Sequence, residues 1–300
     1  MLHEYAIAPS LLSYWALTKR DYTEFLREYG LGSPRVVSCF PKTRSSKLRS
    51  YFLRNGPADS QSLQSQRYVV MVEKLLETLV VRENTAINDD EWEHQVLIEN
   101  SRIPFNIILS KQSLGVDHSL TPDSMYDADS PWNHEVQKDI IRTKKGFSEA
   151  VYNMLRLSTK QVVIIDPYGW TDEATDLVTY LINNMSIHRV SSRLPYVQLF
   201  YKQHTKSPNA SFVKKAILEG IETGMSLDVK VYELEETPNG DVFHNRCILT
   251  EHGGISTGHG IGVSEKEVHT DEAFLMKPRI YQKKWDQFIE GNNFTICSQA

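Results

Sequence analysis

The carboxy-terminal half of the sequence alternates between helical and strand patterns, and this alternation constrains the fold more than any other feature. Apolar residues at helical spacing predict helices over residues 133–157, 172–184 and 211–224. Short apolar runs predict strands at "QVVIIDPYG", "PYVQLFYKQ", "LDVKVYEL" and "FHNRCILTE". Helices that alternate with strands cover the faces of a sheet whose strands run mostly in one direction. The sequence therefore predicts an α/β domain with a mixed, largely parallel sheet, and with function at the strand ends.

The amino-terminal part has a less regular pattern. Helices are predicted over residues 9–29, 47–54 and 62–81, and short strands at "RVVSCFP" and "PFNIILS". Residues 111–131 are rich in Ser, Asp and Pro and have no period, which is typical of a linker. We therefore predict two domains. A smaller, mixed α/β or mainly helical domain of unassigned role covers residues 1–130, and a larger domain covers residues 132–300.

Length and composition favour a soluble globular protein. The 300 residues are 40% hydrophobic and 24% charged, with no run of about 18 apolar residues and no signal-peptide pattern at the start. The prediction is a cytoplasmic protein with no transmembrane segment. The three cysteines are far apart and form no C-x-x-C motif, so we expect reduced thiols rather than disulfides or a Cys-based zinc site. No metal or other cofactor is predicted.

A basic segment lies in the amino-terminal part. The formal net charge of −5 gives the chain no overall attraction for nucleic acid, so such a partner needs a local basic patch. The candidate patch ends at Arg54, contains Tyr51 and Phe52, and includes further cations that we consider candidate nucleic-acid-binding residues: Arg35, Lys42, Arg44, Lys47 and Arg49. The alternative is the solvated face of an ordinary helix.

The strongest candidate site is the segment "VFHNRCILTEHGGISTGHGIG", residues 242–262. His244 and Arg246 are two apart on a predicted strand, so their side chains leave the same face. A neutral imidazole can attack phosphorus, a guanidinium can pair with two phosphate oxygens, and Glu251 can orient an imidazole. The glycines that follow let backbone N–H groups approach an anion. The candidate phosphate-binding residues are Arg246, Gly258, His259 and Gly260.

These features also have ordinary structural interpretations. A His next to an Arg on a strand is often a structural pair, and Gly-Gly after a strand often forms a hairpin turn. The string "GHGIGV" is too loose for a dinucleotide motif. A zinc site at His244, His252 and His259 lacks a supporting ligand spacing. Lys202, His204 and Lys206 are candidates to line the same strand-end crevice, although a polar loop is the simpler expectation. The residues alone leave phosphate binding and a structural turn both open.

The spacing His244-x-Arg246-x4-Glu251-x6-Gly258 resembles the H-x-K-x4-D-x6-G-S signature of the phospholipase D superfamily. The strand "VVIIDPYG" is similar to one that ends in Asp-Pro-Tyr in many phospholipase-D-like domains. The variant with Arg for Lys resembles the carboxy-terminal phospholipase-D-like domain of MIT-domain midbody proteins. The combination of such a phospholipase-D-like domain with an unrelated amino-terminal unit resembles uncharacterised bacterial defence-associated proteins. The resemblance covers about residues 135–300.

The resemblance implies an α/β/α domain and a metal-independent phosphodiesterase in which one His forms a phosphohistidine and a second His protonates the leaving group. Because the sequence carries one half of the motif, it also implies a homodimer that opposes two copies of His244. Arg246 is then the phosphate clamp and Glu251 the orienting carboxylate. Arg for Lys, Glu for Asp and His259 for the usual Ser retain charge but change geometry, which favours binding over catalysis.

Two functions follow from the resemblance. The first is a nuclease, or a nucleic-acid-binding component, of a bacterial defence or DNA-processing system. The alternative is a catalytically inactive module that binds anionic lipid or a protein partner within a complex. Loss of function after Arg246→Ala with retention after His244→Ala would distinguish the alternative from the nuclease.

Overall fold

A computed structural model of the chain describes residues 1–83, 91–238, 240–244, 246–264, 268–291 and 293–300. The chain divides into two compact units. The amino-terminal unit contains residues 2–135 and 190–192, and the carboxy-terminal unit contains residues 136–189 and 193–300.

The amino-terminal unit is built on a parallel sheet. Its elements, in chain order, are β1 (His3–Ile7), α1 (Pro9–Trp15), α2 (Lys19–Glu28), β2 (Arg35–Ser38), α3 (Ser45–Arg54), α4 (Leu63–Leu76), β3 (Leu79–Val80), α5 (Trp92–Arg102), β4 (Ile107–Leu109) and β5 (Ser119–Leu120). Among the described residues the strand order is β3-β2-β1-β4-β5, and every neighbouring pair is parallel. The chain moves outward from β1 to β3 and then crosses to β4 on the other side, which is a doubly wound topology.

Helix caps and buried strands explain these elements. The Thr18 hydroxyl accepts a hydrogen bond from the Asp21 N–H at the start of α2, and the Ser62 hydroxyl accepts one from the Ser65 N–H at the start of α4. Every residue of β2 and β4 is buried, as expected for strands covered on both faces. Of the two alternatives predicted for this part, the mixed α/β one is therefore correct.

The segment predicted as a linker, residues 111–131, belongs to the amino-terminal unit instead. Strand β5 lies within it and pairs with β4. Leu120 and Met125 are buried in the apolar core of this unit, together with Trp132 just beyond the segment. These apolar anchors are too widely spaced to form a period, which is why the segment resembles a linker in sequence.

A buried charged group joins three elements of this unit. Arg82 is fully buried, and its guanidinium donates to the Glu4 carboxylate on β1 at 2.8 Å and to the Glu99 carboxylate on α5 at 2.7 Å. It also donates to the backbone carbonyl of Ile103 and lies 4.0 Å above the centre of the Phe105 ring. A buried cation needs partners of this kind because the cost of removing it from water is large.

The carboxy-terminal unit is built on a mixed sheet. Its elements are β6 (Gln137–Ile141), α6 (Lys144–Leu157), β7 (Gln161–Ile165), α7 (Asp172–Met185), β8 (Tyr196–Lys202), α8 (Ala210–Glu219), β9 (Val229–Glu236), β10 (Cys247–Thr250), β11 (Gly253–Thr257), β12 (Thr270–Leu275), α9 (Pro278–Trp285) and β13 (Phe294–Gln299). Across the described residues the strand order is β13-β9-β8-β7-β10-β11-β12-β6. Strands β9, β8 and β7 are mutually parallel, and the other neighbouring pairs are antiparallel.

The α/β class is confirmed, and three details of the prediction are corrected. Residues 133–157 were predicted as one helix, but the first half of this region contains strand β6. Helix α6 begins only after Thr143, whose hydroxyl accepts a hydrogen bond from the Gly146 N–H. The sheet of this unit is mixed rather than largely parallel, since no described helix separates β9 from β10 and β10 lies antiparallel to β7. Strand β10 begins at Cys247, so His244 and Arg246 precede it.

This topology brings three chain segments to one edge of the sheet. Strands β7 and β8 are parallel, with Ile165 opposite Phe200, so both end at that edge. Strand β10 is antiparallel to β7, with Cys247 opposite Ile165, so it begins there. Residues that follow β7 and β8 therefore meet residues that precede β10.

The described part of the chain has further features that bear on other classes of site. None of its helices is both long and apolar enough to cross a membrane. It contains no group of three or more His, Cys, Asp or Glu side chains arranged to hold a metal ion. Its three cysteines form no disulfide with one another, and Cys39 and Cys247 are buried whereas Cys297 is exposed.

Candidate functional site

A pocket of about 380 Å³ lies at the edge where β7 and β8 end and β10 begins. Its polar and aromatic lining is contributed by all three segments: Tyr168, Lys202, Gln203, His204, His244 and Arg246. Two imidazoles and two cationic side chains therefore face one small volume. Parallel strand ends commonly carry the functional groups of α/β proteins, which is consistent with this position.

Arg246 is held at the pocket wall by two contacts. One Nη1 donor bonds to the Gly258 carbonyl oxygen at 3.0 Å, and the guanidinium lies 5.9 Å from the centre of the Tyr168 ring. A guanidinium has five N–H donors in a fixed planar arrangement, so one hydrogen bond orients it without using its capacity for an anion.

His204 is held in a defined tautomer. Its Nδ1 accepts a hydrogen bond from the Lys206 N–H at 3.2 Å, and its ring stacks on Trp170 with a centroid distance of 6.1 Å. Since Nδ1 is the acceptor, the hydrogen-bond geometry assigns the proton of the neutral ring to Nε2. The exposed neutral His204 ring can therefore donate a hydrogen bond from Nε2, and proton donation requires the imidazolium.

The carboxylate beside His244 is Glu236, which the sequence analysis missed. Its Oε1 accepts hydrogen bonds from the Lys202 ammonium at 2.6 Å and from the Phe243 N–H at 2.7 Å. These two bonds, with a smaller electrostatic contribution from His244, lower the pKa of Glu236 below its ordinary value. Glu236 ends β9 seven residues before Phe243, and it meets Lys202 because β9 lies beside β8.

Glu251 lies at the opposite end of β10 from His244. Its Oε2 accepts from the Ser158 hydroxyl at 2.6 Å, and its Oε1 accepts from the backbone N–H groups of Thr159 at 2.7 Å and Lys160 at 3.0 Å. The four residues of β10 separate it from the pocket by roughly 13 Å of strand. The structure therefore does not bring Glu251 to the imidazole that the sequence motif assigns to it.

The glycine-rich turn is held by two buried carboxylates. Asp271 accepts from the N–H groups of Gly258 at 3.1 Å and His259 at 2.9 Å, and Asp166 accepts from the N–H of Ile261 at 2.5 Å. These N–H groups are consequently directed at protein carboxylates rather than at an open anion site. The turn supplies the Gly258 carbonyl that orients Arg246, so its role is to position Arg246.

Gly260 has a specific steric role in this turn. Its φ of +91° lies in the left-handed region, and a Cβ there would lie 2.4 Å from an Asp166 carboxylate oxygen and 3.0 Å from the Arg246 side chain. The close approach of the turn, Asp166 and Arg246 therefore requires glycine. His259 has a 67% exposed side chain, and its Nδ1 lies 3.5 Å from Asp271.

Asp166 links the end of β7 to this turn. It is buried, and it also accepts a hydrogen bond from the Tyr168 N–H at 2.8 Å. Burial raises the pKa of Asp166, while the N–H donors of Ile261 and Tyr168 and the charge of Arg246 act in the opposite direction. Asp166 thus supports both Arg246 and the wall of the pocket.

One residue of the predicted basic patch is not on the surface. Arg35 is buried and donates to Glu28 and to the Trp132 carbonyl, both at 2.6 Å, so it stabilises the core instead of contacting nucleic acid. Arg49 pairs with Glu73 at 2.6 Å. Arg44 and Lys47 are exposed, and Lys42 lies 5.3 Å from the Tyr51 ring at a separate cleft of the same unit.

No protein-family model and no curated protein sequence matches the chain. Two of the solved structures that align with it illustrate the similarity. One is TrmBL2, an archaeal chromatin protein with a novel mode of DNA binding, at 9% identity over 57% of this chain and 58% of that chain, with a TM-score of 0.30. The other is phosphatidylserine synthase of Haemophilus influenzae Rd KW20, a phospholipase-D-like superfamily member, at 8% identity over 50% of this chain and 36% of that chain, with a TM-score of 0.32. The chain spans less than two thirds of either protein, and TM-scores of this size do not establish a shared fold.

Proposed function

We propose that the carboxy-terminal unit binds phosphodiesters in the pocket at His244. The observation that carries this proposal is the convergence of His204, His244, Lys202 and Arg246 on one strand-end pocket. A phosphodiester carries one negative charge and hydrogen-bond acceptors only on its oxygens, which suits a set of cations and N–H donors.

Arg246 is the principal anion-binding group in this proposal. Its guanidinium presents parallel N–H donors that fit two phosphate oxygens, and Gly258 and Tyr168 fix its plane. Lys202 is oriented by Glu236 and adds a second positive charge. The carboxylate of Glu236 offsets the positive charge of Lys202, so Arg246 supplies most of the attraction for the phosphodiester.

The two imidazoles also suit cleavage of a phosphodiester. The His244 imidazole forms a bond to phosphorus while the bond to the leaving oxygen breaks. His204 enters this step as the imidazolium, with Nδ1 protonated and released from the Lys206 N–H, and gives its Nε2 proton to that oxygen. A water molecule then attacks the phosphohistidine, His204 takes the proton of that water, and a phosphate monoester leaves with His244 regenerated. Both imidazoles come from one chain in this scheme.

The homodimer implied by the sequence motif is the competing arrangement. In that scheme two copies of His244 face each other and His204 has no chemical role. The two schemes differ in a simple way: loss of cleavage after His204→Ala supports the one-chain site, and retention supports the homodimer.

Nucleic acid is the substrate class that we propose, and the finer role is a nuclease or nucleic-acid-binding component of a bacterial defence or DNA-processing system. The test uses single-stranded DNA, duplex DNA, RNA and a chromogenic phosphodiester, with EDTA present, and measures binding and cleavage by the full-length protein. Arg246→Ala is expected to weaken binding about tenfold or more, because a hydrogen-bonded charged contact is lost. His244→Ala is expected to abolish any cleavage while leaving most of the affinity.

Lys206→Ala is the matched control, because Lys206 lies in the same loop as His204 but does not line the pocket. It is expected to leave both measurements unchanged. Binding that is insensitive to Arg246→Ala would contradict the proposal. Binding to vesicles that contain phosphatidylserine, without binding to nucleic acid, would replace the substrate class with the anionic-lipid alternative.

A further inference from the structure

The amino-terminal unit contains a second cleft, which the proposed function does not use. It has a volume of about 640 Å³ and lies at the edge of the parallel sheet where β1, β2 and β3 end. Its walls come from the segments that follow these strands. The lining includes Ser10, Lys42, Tyr51, Arg54, Trp92 and Glu93.

The position and size of this cleft suit a small ligand. In a doubly wound sheet, the crevice outside the carboxyl ends of the strands forms where the chain reverses its winding. Here that reversal lies between β1 and β4, and the cleft lies on the β1 side of it. Its volume falls within the range of about 300–1,000 Å³ that small-molecule sites occupy.

One residue of the cleft lining carries a buried donor without a partner among the described residues. Trp92 begins α5, lines the cleft and is only 4% exposed, and its Nε1–H has no hydrogen-bond partner among the described residues. An unpaired buried N–H costs about 1–3 kcal/mol, so native proteins rarely retain one without a reason. A ligand with an acceptor oxygen or nitrogen in the cleft would satisfy it.

The charged lining has both signs. Lys42 and Arg54 contribute positive charge, and Glu91 and Glu93 contribute negative charge. Burial raises the pKa of Tyr51, Glu93 raises it further and Arg54 lowers it, so these side chains are within electrostatic reach of one another. Cations bind phosphate oxygens, whereas carboxylates bind the hydroxyl groups of a sugar.

The sequence after β1 limits the class of ligand. It reads "APSLLS" and contains no glycine, so the backbone cannot approach a pyrophosphate as it does in the dinucleotide motif. Phosphate recognition in this cleft must therefore come from side chains. The half-buried Tyr51 ring and the buried Trp92 add aromatic surface to the same cleft.

We infer that the cleft of the amino-terminal unit binds a nucleoside phosphate. Arg54 and Lys42 hold the phosphate, Glu93 accepts hydrogen bonds from the ribose hydroxyls, and the Trp92 Nε1–H donates to an acceptor on the ligand. This site is separate from the pocket at His244 and does not depend on it.

Isothermal titration calorimetry of the full-length protein tests this inference. The probes are AMP, GMP, CMP and the corresponding triphosphates, compared with adenosine and ribose 5-phosphate. At least one nucleotide is expected to bind more tightly than either fragment, since it engages both parts of the cleft. Arg54→Ala is expected to weaken that binding about tenfold, and Trp92→Phe, which removes only the N–H donor and part of the ring, by several-fold.

Lys47→Ala is the matched control, because it removes a cation from the same helix outside the cleft. His244→Ala is expected to leave nucleotide binding unchanged even if the phosphodiester proposal fails. Dissociation constants above about 1 mM for every nucleotide would overturn the inference. It would also be overturned by binding that neither Arg54→Ala nor Trp92→Phe affects, and equal affinity for ribose 5-phosphate and the nucleotides would overturn the nucleoside assignment.

Discussion

The two units bury charge in different ways. In the amino-terminal unit, Arg82 lies between the carboxylates of Glu4 and Glu99 in the interior. In the carboxy-terminal unit, the buried carboxylates of Asp166 and Asp271 accept hydrogen bonds mainly from backbone N–H groups of turns. The first arrangement joins strands and a helix across a core. The second fixes the loops around a pocket.

This difference separates stability from function. Removal of one partner from a buried ion group leaves the others unpaired in the interior, so its main effect is on folding. Removal of a carboxylate that holds a loop frees a few backbone donors near the surface, so its main effect is on the geometry of the loop. The two units are therefore expected to respond differently to substitutions of buried charged residues.

The largest expected effect is that of Arg82→Met. It leaves Glu4 buried without a cation and leaves Glu99 with Arg102 alone, and the free energy of unfolding is expected to fall by about 3–5 kcal/mol. Urea denaturation followed by circular dichroism measures it. Arg49→Met is the control, because the Arg49–Glu73 pair is exposed and its loss is expected to cost no more than about 1 kcal/mol. Equal losses of unfolding free energy in the two variants would contradict a difference between buried and exposed charge in this unit.

A medium effect is expected for Glu251→Gln. Its carboxylate accepts hydrogen bonds from Ser158, Thr159 and Lys160, and the substitution is expected to cost about 1–3 kcal/mol at neutral pH. Ligand binding at the distant pocket is expected to remain unchanged. A loss of binding equal to that of Arg246→Ala would place Glu251 in the site after all.

The same variant has a predictable dependence on pH. Burial raises the pKa of Glu251, but His252 and the donors of Ser158 and Thr159 lower it by more, so the net shift is downward. A carboxyl with a lowered pKa in the folded state stabilises the protein above its unfolded pKa, and this contribution is lost as the pH falls through the folded pKa. The stability difference between wild type and Glu251→Gln should therefore shrink below about pH 4. A difference that stays constant there would contradict this role.

The smallest effect on stability is expected for Asp166→Asn, which is nearly isosteric. Its amide cannot accept on both sides, so either the Tyr168 or the Ile261 N–H loses its partner, at a cost of about 1–2 kcal/mol. Affinity for a phosphodiester is expected to fall several-fold, because the turn that orients Arg246 loosens. Unchanged affinity in a variant that is measurably destabilised would show that Asp166 does not support the pocket.

Part of this structure could be predicted from sequence. Helix α7 agrees with the predicted 172–184 because its apolar period is regular and Thr171 caps it. In the amino-terminal sheet, β2 and β4 lie within predicted strands, whereas β1, β3 and β5 were missed, and β3 and β5 are only two residues long. Strands this short carry no period.

The candidate site shows the same limit. His244 and Arg246 could be identified because they are neighbours in sequence and their residue types suit phosphate. His204 was a candidate because it follows a predicted strand. Glu236 was missed because its contact with Lys202 depends on β8 and β9 lying side by side, which the sequence does not encode. Glu251 was assigned to the site from the motif spacing, although that spacing equals the length of a strand and places it at the other end of β10.

The most direct test of the phosphodiester pocket is a titration followed by ¹⁵N NMR of the histidine rings. The chain has ten histidines, so His204 and His244 are assigned by single substitution and then followed as the dinucleotide d(TpT) is added. We expect the resonances of these two rings to shift together with one dissociation constant. We expect Arg246→Ala to weaken both shifts equally. Shifts in neither ring, or shifts in other histidines only, would contradict the pocket.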